Sequence, residues 1–146
     1  MTAISTDAAL RKILKRDRVI AVVGLSDKPH RPSHEVAAHM QRNGYRIVPV
    51  NPLLAGTKVL GETVHASLDD ARVALAAEGA EIGMVDVFRK SADVPPVVDA
   101  AIEIRARSVW LQLGVVHDAA AAKARAAGLD VVVDRCVKIE HRRLIG

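Results

Sequence analysis

The sequence predicts a three-layer α/β sandwich around a five-stranded parallel sheet, and three observations lead there. Five short apolar runs, at 19–25, 46–51, 82–88, 108–113 and 130–134, punctuate the chain. Most are continuous rather than alternating, the pattern of strands covered on both faces. Segments of helical period lie before or between them, and such alternation builds a parallel sheet through right-handed crossovers. The expected strand order is 3-2-1-4-5. A single domain, 1–146, is expected because no repeat, linker or low-complexity run divides the chain.

Each element has its own signal. Residues 6–16 put Leu10, Ile13 and Leu14 on one stripe and Arg11, Lys12, Lys15 and Arg16 largely off it. The first strand then runs into a turn at Gly24-Leu25-Ser26, and Pro32-Ser33 open a helix over 33–43 that ends at Asn43-Gly44. The second strand stops at Asn51-Pro52, and a loop carries Gly56 and Lys58. A helix over 68–78 starts from Ser67 and stops at Gly79. The third strand ends in Phe88-Arg89-Lys90, and Pro95-Pro96 lead into a helix over 96–106. The fourth strand closes on Gln112-Leu113-Gly114, followed by an alanine-rich helix from 118 to 127 that stops at Gly128. The fifth gives out at Asp134-Arg135-Cys136, and His141-Arg142-Arg143 reads as a solvated basic tail.

Composition narrows the function classes. The chain is 50% apolar, as a globular domain with a core should be, and three aromatic residues (Tyr45, Phe88, Trp110) are too few for stacking platforms on single-stranded nucleic acid. A formal net charge of +4 suits an anionic ligand and equally suits plain solubility. One cysteine, Cys136, excludes an internal disulfide framework and a multi-cysteine metal site. Charges interrupt the amino-terminal MTAISTDAALRKILKR before a leader core can form, and no apolar run approaches the ~20 residues of a bilayer span. A cytoplasmic protein without a membrane partner is expected.

In an open parallel sheet the ligand sits at the carboxyl edge where the strand order reverses. That puts Gly24 and Gly114 beside the crevice, with Asn51-Pro52 and Phe88-Arg89 at its border. The first turn of the helix at Pro32-Ser33 offers free N–H groups and a favourable dipole to phosphate. Gly24 either admits a phosphate to the backbone or is a turn glycine. Ser26 and Ser33 offer hydroxyls, and Ser33 also stands where an N-cap belongs. Arg31 can clamp a phosphate or simply be solvated. His30 and His34 flank it without a third metal ligand. Phe88 can pack a nucleobase or finish its strand's core, and Lys58 can reach a ribose phosphate or remain a surface lysine. Gln112, polar in an apolar strand, needs a partner or a ligand. Cys136 beside Arg135 is either a reactive thiol or inert core.

Two absences sharpen the reading. The dinucleotide pattern G-x-G-x-x-G would need glycines at Ser26 and Pro29, and no acid lies between Glu35 and Glu62 to hold an adenosine ribose. The site therefore suits a phosphorylated nucleotide other than NAD. Neither a nucleophile elbow nor a P-loop is present, and no constellation for catalysis emerges from the residues.

The segments VVGLSDKPHRPSHEVA at 22–37, YRIVPVNP at 45–52, GTKVLG at 56–61, VDVFRKSADVP at 85–95, VWLQLGV at 109–115 and AGLDVVVDRCVKIEHRRL at 127–144 occur together in order. In this the chain resembles the small stand-alone CoA-binding proteins, which are similar to the CoA-binding amino-terminal domain of the succinyl-CoA synthetase alpha subunit. The resemblance implies a Rossmann-like fold that binds coenzyme A or an acyl-CoA, as a binding module rather than a complete enzyme, since the synthetase's chemistry needs parts outside this domain. It implies that Gly24, Ser26, Arg31 and Ser33 hold the diphosphate, and that Asn51, Pro52 and Lys58 border the adenosine and its ribose phosphate. It further implies that Val87, Phe88 and Arg89 frame the adenine side, with Gln112 and Gly114 towards the pantetheine arm. The stretch from Ser67 to Gly79 departs from the family by being longer and richer in alanine.

Other readings stay open at this point. They are an NAD(P)-dependent oxidoreductase, a CoA-dependent transferase component, or a nucleic-acid module using Arg11, Lys12, Lys15, Arg16 and Arg18. If a pantetheine thiol approaches Cys136, oxidation would trap a mixed disulfide. A protein partner and the acyl group are not legible.

Overall fold

A computed structural model describes residues 5–146; residues 1–4, part of the charge-interrupted start, lie outside the described residues. The five apolar runs form one parallel sheet: β1 (Val19–Val23), β2 (Arg46–Val50), β5 (Met84–Val87), β6 (Ser108–Leu111) and β7 (Asp130–Val132). Period-two geometry sends alternate side chains to opposite faces. Val23, Val50, Val85, Val87 and Leu111 enter one core, while Ile20, Val22, Ile47, Met84 and Trp110 enter the other. The first core is closed by α3 (Leu68–Ala76), α4 (Val94–Glu103) and α5 (Asp118–Ala126). The second is closed by α1 (Asp7–Arg16), α2 (Pro32–Arg42) and α6 (Val137–Leu144). The three-layer α/β sandwich is thus present, with a near-continuous apolar sheet as its middle layer.

The hydrogen-bonded order is β2-β1-β5-β6-β7. It follows the 3-2-1-4-5 pattern with one correction to the assignment of strands. The run at 82–88, expected as the third and outermost strand, lies on the other side of β1 and holds the central place of the five. The outer place beside β2 belongs to a short segment that pairs through one parallel bridge, Val50 to His65. The physical reason is burial: β5 is fully buried on both faces and apolar except at Asp86, as suits a central strand. The segment around His65 is too short and polar for that place. The order therefore reverses between β1 and β5, so Gly24 and Phe88, not Gly24 and Gly114, are the strand ends that meet there.

Two further expectations are corrected. The supposed loop around Lys58 is a small antiparallel hairpin, β3 (Lys58–Val59) with β4 (Glu62–Thr63). The supposed basic tail is helix α6, with Glu140 and His141 buried. Its basic run is held down by ion pairs from Arg143 to Asp7 and Glu140, each 2.8 Å.

At the opposite edge of the sheet, α1 is tied down by a buried charge. Asp17 is 1% exposed, takes two 2.8 Å bonds from the Arg16 guanidinium and a third from the Ser108 hydroxyl at 2.8 Å. No helix among the described residues is long and apolar enough to cross a membrane.

Candidate functional site

The carboxyl ends of β1, β5 and β6 open into a crevice of about 650 Å³. Its floor is made by Gly24, Phe88 and Gln112. One wall is the β1–α2 loop and the first turn of α2, with Ser26, Lys28, Arg31, Pro32, Ser33 and Val36. The other sides are Arg89 and Lys90, then Leu113 and Val115, and Cys136 at the start of α6.

Gly24 is required by a close approach. Its φ is +90°, and a Cβ there would lie 2.1 Å from the Phe88 carbonyl oxygen. The backbones of β1 and β5 thus nearly touch at the switch point, with Phe88 N–H donating to the Val23 carbonyl at 2.9 Å. Arg89 folds back over this junction, its Nε 3.5 Å from the same imagined Cβ.

The β1–α2 loop is shaped by its own serines. Ser33 is not the N-cap; Arg31 holds that position, with Pro32 in the first turn and no side-chain cap. Instead the buried Ser33 hydroxyl accepts from Ser26 N–H at 3.0 Å, and the Ser26 hydroxyl accepts from Lys28 N–H at 3.1 Å. With the cap absent, the first-turn N–H groups are left for a ligand at the positive end of the helix dipole. Arg31, Lys28, Arg89 and Lys90 all border that space, and none is in an ion pair among the described residues.

Gln112 has a partner on one side only. Its side-chain oxygen accepts from Val137 N–H at 3.2 Å and so caps α6, while its residue lines the floor. Cys136, 8% exposed, stands beside it. Helices α2 and α6, which carry two sides of the crevice, are joined along their length. Lys138 reaches Glu35 at 2.9 Å, and His39 Nε2 lies 3.0 Å from His141 Nδ1. Burial pushes both imidazoles below the ordinary histidine range, and the surrounding cations act in the same direction.

Of the residues the sequence singled out, Gly24, Ser26, Arg31, Ser33, Phe88, Arg89, Gln112 and Cys136 come together at this crevice. The others do not line it. Asn51 spends its side chain on structure: its nitrogen donates to the Leu25 carbonyl at 3.1 Å and its oxygen accepts from Leu53 N–H at 3.0 Å. Pro52 and Lys58 are exposed beyond the end of β2. Val87 points into the opposite core. Gly114 N–H donates to the Asp134 carboxylate at 2.7 Å in the next loop. Sequence reasoning missed Lys28, Val36, Leu113 and Val115. Lys28 had a visible signal, a second cation three residues before Arg31. Val36 read only as a core position of its helix. No group of three His, Cys, Asp or Glu among the described residues could hold a metal ion.

A family model of the CoA binding domain matches residues 18–142. The chain is 38% identical over 134 residues to the uncharacterized protein YneT of Bacillus subtilis (strain 168), spanning 92% of this chain and 93% of that protein. Among solved structures, a hypothetical protein from Pyrococcus horikoshii OT3 is 36% identical with a TM-score of 0.86, all of both chains being covered. The protein known as cell-free ID.343 from Thermus thermophilus is 35% identical with a TM-score of 0.84, over 97% of this chain and 100% of that one.

Proposed function

This chain belongs to the CoA binding domain family, and from that premise we propose that it binds coenzyme A or an acyl-CoA in the crevice at the β1–β5 switch point. The observation that carries this reading is the convergence of Lys28, Arg31, Arg89 and Lys90, without ion-pair partners, on the uncapped start of α2. Four cations around one helix N-terminus match a ligand bearing a diphosphate and a further phosphate.

The assignment of parts follows the family resemblance, and the crevice lining supports it for the residues named next. The diphosphate lies against Ser26, the first turn of α2 and Arg31, with Gly24 allowing the backbone to be approached. Phe88 and Arg89 flank the base. Gln112, on the floor towards α6, faces the pantetheine arm. Pro52 and Lys58, exposed past the end of β2, would border the adenosine and its ribose phosphate as the resemblance implies, with Asn51 holding that turn in place. The chain acts as a cytoplasmic carrier or sensor of CoA, and the crevice's residues bind and orient without breaking bonds.

Thermal melting with CoA, dephospho-CoA, NADH and NADPH at equal concentrations tests the reading, because the tighter ligand then stabilises the fold more, by the logarithm of its affinity. A CoA shift larger than either dinucleotide's is expected. A larger shift with NADPH would replace this reading with an oxidoreductase one.

A further inference from the structure

Among the described residues, only Asp86 Oδ1 and Arg125 Nε are buried side-chain polar atoms without a hydrogen-bond partner. Asp86 is the more demanding case. It sits in the middle of the central strand β5, is 1% exposed, and has no hydrogen bond or ion pair to any described residue. Burial pushes its carboxyl well above the ordinary carboxylate range, because no cation or donor beside it offsets the loss of water. An apolar side chain would serve a parallel strand better here, and a polar group kept unsatisfied in a core calls for a use.

Its place in the sheet supplies one. Asp86 is paired in register with Val22 on β1 and Trp110 on β6, both of which enter the core beneath α2 and α6. Two residues further along each strand, on the same face, stand Gly24, Phe88 and Gln112, the floor of the crevice. Asp86 therefore lies one pleat below that floor, in the wedge between α2 and α6 whose upper part is lined by Val36 and Cys136. Phe88, partly exposed, is the neighbour above it on the strand and the side chain that must yield.

We propose that Asp86 is a specificity residue just beneath the floor of the crevice, where its unpartnered carboxyl hydrogen-bonds an uncharged polar group of the ligand's pantetheine arm once Phe88 moves aside. The inference rests on the CoA reading and deepens it. Phosphates stay at the cationic rim, and the site below the floor takes an amide or thiol, because an anion there would meet a buried acid with no cation beside it.

The test compares wild type, Asp86→Asn and Asp86→Val by titration with CoA and with ADP, which lacks the arm. Asp86→Val is expected to melt higher than wild type, because it removes an unsatisfied group from a strand, yet to bind CoA about tenfold more weakly while ADP binding is unchanged. Asp86→Asn, which keeps uncharged donors and an acceptor, is expected to retain CoA affinity. CoA affinity unchanged in Asp86→Val, or an equal loss for CoA and ADP, would overturn the proposal and leave CoA binding itself intact. Absence of CoA binding in wild type would instead remove the underlying reading and this inference with it. Should Asp86→Val fail to fold, infrared difference spectra of wild type carry the test. The protonated-carboxyl band, identified by its loss in Asp86→Asn, should shift with CoA and not with ADP; a band indifferent to both would overturn the proposal.

Discussion

Arg31 borders the open first turn of α2 with a guanidinium that has no carboxylate partner among the described residues. A cation held this way contributes through charge-assisted bonds to a phosphate, worth roughly 1.5–3 kcal/mol. Arg31→Ala is therefore expected to weaken CoA binding about tenfold to a hundredfold in calorimetry, with the melting temperature of the free protein little changed. Undiminished affinity would take the diphosphate away from this helix start. Gly24 makes the opposite kind of prediction. Its φ of +90° and the 2.1 Å approach of the Phe88 carbonyl leave no room for a methyl group. Gly24→Ala should cost about 3 kcal/mol or more, through clash and left-handed strain together. Chemical denaturation reads this directly, and a variant as stable as wild type would mean the strands can part there. The sequence showed that Gly24 mattered. It could not show that the neighbour crowding it would be the backbone of β5, since that depends on strand order.

At the scale of elements, the strands were legible because buried parallel strands are written as unbroken apolar runs. Helices α1, α2, α3 and α5 were legible from their stripes and stops. Helix α6 was not, because half of its eight residues VKIEHRRL are charged and its apolar stripe is short. It is held by contacts far away in sequence, Asp7 to Arg143 and Gln112 to Val137, which no local pattern announces. Asn51 was misleading for a related reason: an amide at the end of β2 looks like a ligand group, and its two atoms are taken by Leu25 and Leu53. The attachment of α1 can be measured. Asp17→Ala strips the buried carboxylate from Arg16, whose side chain is 27% exposed, and leaves the Ser108 hydroxyl without its acceptor. A loss of about 2–3 kcal/mol is expected by urea denaturation, the partial exposure of Arg16 holding it below the full value of a buried pair. A loss under half a kilocalorie per mole, roughly the size of a surface pair, would place the anchoring of α1 in its apolar stripe alone.

Across the whole molecule, α2 and α6 are coupled by His39 and His141, and the charged groups facing that pair are all cations. Lys138, Arg42 and Arg142 act on His39 and Arg18 acts on His141, while the Tyr45 ring packs on His141. Both histidines titrate lower when folded than the ordinary value near 6.5. Below that pH the unfolded chain takes up protons that the native state refuses, so this pair's contribution to stability falls as pH drops through the window beneath 6.5. Asp86 works the other way, since its raised value makes the native state hold a proton that the unfolded chain releases above about pH 4. Comparing wild type with His39→Gln cancels the Asp86 part. Wild type should lose stability relative to His39→Gln between pH 7 and pH 5; parallel curves would show that the pair does not titrate differently on folding.

The same scale holds the central claim, that the switch-point crevice is a coenzyme A site. Its four cations predict affinity that weakens with added salt, since screening shortens the reach of each charge. The most direct measurement is isothermal titration of ligand-stripped protein with CoA, and with ADP and NADH as comparisons. Saturable CoA binding near one site per chain, tighter than either comparison, is the predicted result. Soundly folded protein that takes up no CoA, or that prefers NADH, would contradict it.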